Sequence, residues 1–212
     1  MVAASISSKI NEAIRLEGET HQLARRLQAQ LPQLMEKLVL PEPEPMAGLL
    51  QFITEYVESV PGCLRLVKAV SQRIGFYEYA APFLDTAEDY FLNPPTHLPA
   101  DGGLEALLDE AFLAHRLLEE VNDHHIRHLH RPLLPVDMTE ANIIVHHLLG
   151  DELANGLDRL VHDTATQLLE REYLWARVRA QPGSALPATQ MFTSNNLVGS
   201  PKQIRLRLPG SV

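Results

Sequence analysis

Cysteine is almost absent from this chain. Among 212 residues Cys63 stands alone, so no internal disulfide can form and the fold must rest on packing or on a bound ligand. Long apolar runs are missing as well: no stretch reaches the roughly 18 apolar residues needed to span a bilayer. The first residues, Met1 to Lys9, lack a basic start followed by a continuous apolar run, so a secretory signal is not expected. Positive charge is in deficit, with 18 Lys and Arg against 27 Asp and Glu and a formal net charge of −9. A field of that sign repels phosphate backbones and anionic lipid, which argues against nucleic acid and membrane surfaces as partners. No glycine-rich phosphate loop, CxxC, HExxH, internal repeat or series of alternating strands occurs, which excludes the α/β nucleotide-binding classes. These absences together lead to the expectation of a cytoplasmic protein.

What is present is helical periodicity. Residues Ser5 to Leu40 place Ile6, Ile10, Ala13, Ala24, Leu27, Leu31 and Leu38 at three- and four-residue steps, predicting one long helix kinked at Pro32. The run Pro41-Glu-Pro-Glu-Pro45 ends it, because each proline fixes φ and disfavours the α region in the residue before it. A clean amphipathic helix follows from Met46 to Val60, and another starts with Pro61 and continues through Tyr77 to Pro82, which breaks or kinks it. A short piece over Phe83–Leu92, a helix over Leu104–His130 and a last helix capped by Asp137 or Thr139 and running to about Arg179 complete the set. The fold class predicted is all-α, a helical bundle of about five to six helices over residues 1–180. Residues 181–212 form an irregular C-terminal tail, in which only Gln203 to Leu208 alternates with period two. Its apolar residues, Ile204, Leu206 and Leu208 among them, are too many for a solvated linker. Docking on its own bundle or on a twin subunit is expected, with the twin, and hence a homodimer, slightly favoured.

Polar residues that fall inside apolar arcs carry the functional reading. At about 100° per residue, Glu17 and His21 intrude on the first helix, His115 on the fourth with Glu119 at the edge of its arc, and His147 and Asp151 on the last. Each pair is one turn apart, a spacing that lets a histidine and a carboxylate bond to each other or chelate one ion. If the last two helices are antiparallel neighbours, Asn122 faces His147 and Glu119 faces Asp151. Carboxylates buried at one level need a cation, and imidazole plus carboxylate suits Fe, Mn or Zn. His115, Glu119, His147 and Asp151, with Glu17 and His21 from the first helix, are therefore the metal-ligand candidates, and Asn122 and Asp158 would orient them. The function expected is a metal-binding bundle, a non-haem iron or di-metal oxidoreductase; the alternative is a non-catalytic helical interaction module.

Other features speak for structure. In the run Asp123 to His130, His124 and His128 fall on the outer face with Glu120 and Arg127, leaving His125 nearer the core. Cys63 has no activating neighbour, and Trp175 reads as packing. His115–Glu119, His124–His128 and His146–Asp151 echo, in order, ligand elements of hemerythrin-like proteins. The first two share one helix here and face opposite ways. His147–Asp151 is similar to one ligand element of haem-oxygenase-like di-iron oxygenases, but Ala154 stands where a further histidine belongs. No family is assigned.

Overall fold

The computed structural model of the chain describes residues 2–93, 103–130, 132–133, 137–169, 175–176, 179–180 and 204–207. Seven helices and a two-stranded ribbon make up these residues, an all-α fold as the periodicity requires: α1 (Val2–Thr20), α2 (Gln22–Lys37), β1 (Leu38–Val39), α3 (Pro45–Arg73), α4 (Tyr77–Leu92), α5 (Leu104–Leu129), α6 (Thr139–Leu149), α7 (Asp151–Leu169) and β2 (Arg205–Leu206). α5 packs against α1, α3, α4, α6 and α7 and is the axis of the bundle. It accordingly buries residues almost all round, including Leu107, Leu108, Phe112, Leu117, Leu118 and Val121.

Helix boundaries depart from the sequence reading where local chemistry overrides apolar period. The predicted helix Ser5–Leu40 is two helices, broken at His21, which lies in the left-handed region at φ 51° and ψ 35°. Glu17 makes that break tolerable, since its carboxylate accepts the amides of Leu23 and Ala24 at 2.9 and 3.0 Å, two donors that the new helix start would leave unpaired. Pro32 is carried inside α2. The helices predicted on either side of Pro61 are one, with Pro61 buried inside α3, and Pro82 likewise sits inside α4.

The predicted last helix is also two. Gly150 has φ +87° and ψ 151°, a conformation that side chains resist, and it separates α6 from α7. The junction keeps its hydrogen bonds: Gly150 N–H donates to the His146 carbonyl and Ala154 N–H to the Gly150 carbonyl, both at 3.0 Å.

The tail prediction divides. Residues 181–203 and 208–212 lie outside the described residues, so that part of the expectation is not addressed. Residues 204–207 are seated on the same chain: β2 pairs antiparallel with β1, Leu206 opposite Leu38 and Arg205 opposite Val39. Arg207 N–H donates to the Lys37 carbonyl at 2.8 Å, and Ile204 is 1% exposed in the common core. No described helix is long and apolar enough to cross a membrane.

Candidate functional site: a polar cleft on three helices

Three helices bring polar side chains to one place. On α5, Phe112, Arg116 and Glu119 follow one another at helical spacing; α6 contributes Thr139, Asn142, Ile143, His146 and His147; α7 contributes Asp158. Together they line a cleft of about 390 Å³. Phe112 is its apolar floor at 1% exposure, and Ile143 is partly exposed in its wall.

Arg116 organises the charges. Its Nε donates to Asp158 Oδ1 at 2.8 Å, and its Nη1 is paired with Glu119 Oε2. Burial works against the guanidinium charge, but the bonds to Asp158 and Glu119 outweigh that and raise its pKa further. Glu119 receives two more donors, Thr139 Oγ1 at 2.9 Å and Asn142 Nδ2 at 2.6 Å. The amide oxygen of Asn142 in turn accepts the Tyr56 hydroxyl of α3 at 2.7 Å, so the network runs from the buried centre of the bundle outward. At the rim, His146 Nδ1 lies 3.5 Å from Asp158 Oδ2, and its Nε2 lies 3.6 Å from Asp151 Oδ1.

The residues proposed from sequence as metal ligands are distributed over different places. Glu119 and His147 do line the cleft, but His115 and Asp151 are not among its walls. His115 is fully buried one turn before Glu119 and turns toward α3, where Nε2 lies 3.0 Å from Ser59 Oγ and 3.1 Å from the Tyr56 carbonyl. A carbonyl can only accept, so Nε2 carries the proton. Burial pushes this imidazole's pKa down to about 4, the bond to the carbonyl opposing. His147 is half-buried, with its pKa also held below the ordinary range, by burial first and then by Lys37 and His146, while Asp151 opposes. Asp151 opens α7 with its side chain 68% exposed, 3.7 Å from Lys37 Nζ. Glu17 spends its carboxylate on capping α2, and His21 is exposed at the α1–α2 break. Asn122 Oδ1 accepts the amide of Leu133 at 2.8 Å, securing the chain after α5.

The expected register is thereby corrected. Glu119 meets Thr139 and Asn142, and Asp158 through Arg116, instead of Asp151; α6 begins level with Glu119, and the break at Gly150 offsets α7 from the straight helix assumed. Among the described residues, no group of three or more His, Cys, Asp or Glu side chains is placed to hold a metal ion. Within the cleft Arg116 supplies a cation to both Glu119 and Asp158. Sequence reasoning missed Arg116, Asn142 and Tyr56, and read Thr139 only as a helix cap and His146 only in the echo of hemerythrin-like proteins. Arg116 did carry a signal, an arginine three residues before an inward glutamate, which is pairing distance on a helix.

No protein-family model, no curated protein and no solved structure matches this chain.

Proposed function

We propose that this chain is a helical small-molecule-binding protein whose ligand occupies the α5–α6–α7 cleft. The observation that supports the reading is the convergence, in one concave space with an apolar floor, of Arg116, Glu119, Asn142, His146 and Asp158 from three helices. Its volume of about 390 Å³ falls within the roughly 300–1,000 Å³ usual for small-ligand sites. Stability alone gives little reason for such a network, because the cost of desolvating charges roughly cancels their attraction, and well-packed apolar residues would hold three helices together as firmly. What the network does provide is polar groups fixed in place before a ligand arrives.

A metal-binding oxidoreductase using Fe, Mn or Zn is the competing reading, and its support is that two carboxylates and two imidazoles line the same cleft. One experiment compares them. Wild type and Ile143→Trp, which adds bulk to the cleft wall without touching the ion pairs, are titrated by protein-observed NMR with simple amines, carboxylates, phosphates and the ions Fe2+, Mn2+ and Zn2+. Binding of an organic compound that shifts cleft resonances in wild type and fails in the variant is expected. Stoichiometric metal uptake with no organic ligand would move the assignment to the metal reading.

A further inference from the structure

We infer that the ligand of the cleft presents a protonated primary amine or guanidinium, an inference that rests on the small-molecule reading above. It comes from counting which hydrogen-bonding groups are already used. The donors nearest the carboxylates are committed: Thr139 Oγ1 and Asn142 Nδ2 to Glu119, Arg116 Nη1 to Glu119 and Arg116 Nε to Asp158. Arg116 keeps three further N–H groups, one on Nη1 and two on Nη2, while its charge is already shared between Glu119 and Asp158.

Acceptors are in surplus. Asp158 Oδ2 has only His146 Nδ1 near it among the described residues, at 3.5 Å, which is too long for a strong hydrogen bond. Glu119 Oε1 takes one donor and has a second lone pair, and His147 Nδ1, though buried, has no hydrogen-bond partner among the described residues. Charge points the same way, with one fixed cation against two carboxylates in a chain whose net charge is −9. An anion would meet the repulsion of both carboxylates. A cation with N–H groups would find open acceptors at Asp158 Oδ2 and Glu119 Oε1.

The distinction between a charged donor and a charge alone makes the inference testable. Isothermal titration calorimetry at pH 8 compares putrescine and agmatine, which carry N–H donors, with tetramethylammonium, which has the charge and no donor, and with acetate, inorganic phosphate and Mn2+. The proteins are wild type, Asp158→Asn, which keeps the acceptor for Arg116 Nε and removes the charge, and Ile143→Trp, each checked for unchanged near-ultraviolet circular dichroism. Putrescine or agmatine should bind at least tenfold more tightly than tetramethylammonium, and Asp158→Asn and Ile143→Trp should each weaken that binding at least tenfold. Equal binding of tetramethylammonium, or binding by acetate or phosphate that Ile143→Trp abolishes, overturns the amine inference and leaves the cleft reading standing. Mn2+ as the sole ligand overturns both in favour of a metal site, and no binding by any compound also overturns both.

Discussion

Asp109 offers a sharp test of the electrostatics, because it lies in the core far from balance. It is 2% exposed on α5, and its Oδ1 has no hydrogen-bond partner among the described residues. Burial pushes its pKa up to about 7 from an ordinary 3.8, with Arg26 opposing and Glu105 and Glu110 adding to the rise. The sign follows directly. A carboxyl whose pKa is higher folded than unfolded binds a proton more tightly in the native state, so its contribution is fully present below about pH 4 and is lost as pH rises to about 7. At 1.36 kcal/mol per pH unit between about 4 and about 7, the loss is about 4 kcal/mol. Asp109→Asn keeps the shape and removes the charge, so at pH 8 it should stabilise the chain by up to that amount. For a chain of this length that corresponds to a rise in Tm of roughly 8–16 °C. At pH 4 the two proteins should melt within a degree or two of each other. Thermal denaturation followed by far-ultraviolet circular dichroism at half-unit intervals from pH 4 to 8 measures the gap. If Asp109→Asn melts lower than wild type at pH 8, the carboxylate has a stabilising partner and the reasoning is wrong.

Further outcomes follow from other sites. His115 has the opposite dependence: its pKa is depressed to about 4, so its stability is present above 6.5 and lost as pH falls toward 4, and two-dimensional NMR should find its ring neutral, with Nε2 protonated, at pH 6. Arg116→Gln leaves Glu119 and Asp158 without their cation and should cost about 2–4 kcal/mol in urea denaturation. The same variant should gain thermal stability from millimolar Zn2+ where wild type gains none; equal responses would show that Arg116 does not occupy the cation position. Ile204→Ala should cost about 2–4 kcal/mol, because the residue is buried in the common core; a loss below about 0.5 kcal/mol by urea titration would mean that β2 does not hold its place in solution.

The all-α architecture was legible because apolar spacing over Leu104 to Leu129, or Leu49 to Val70, is strong enough to fix both helix and buried face. What the spacing does not encode is where a helix bends without losing its period. His21 and Gly150 break their helices in positions where the apolar stripe resumes on the far side, so a continuous wheel runs straight through them. Pro61 errs the other way, as a proline that looked like a helix start and lies within α3. The site inherits these errors. Placing Glu119 opposite Asp151 depended on a straight last helix, and the search for inward acids and imidazoles passed over Arg116. A long cationic side chain reaches the acidic cluster from a position of mixed exposure, which a wheel scores as surface. Glu17 was recognised as out of place in an apolar arc, and the reason is local: it caps the helix that begins five residues later.

The ribbon between β1 and β2 joins residues far apart in sequence, Leu38 with Leu206, and so makes a ring whose closure is non-covalent. Everything from α3 to α7 lies inside that ring. Closing a loop of such length carries an entropic cost on the order of 4–5 kcal/mol from its logarithmic length dependence, before the few contacts of a two-residue strand are counted. The clasp can therefore form only once the helices it encloses have folded and brought its halves together, and it should be the first element to let go. In hydrogen exchange the amide of Arg207, bonded to Lys37, should open at a free energy well below that of the α5 core, making the ribbon a latch whose release exposes Ile204 and the end of α2 while the bundle stays intact.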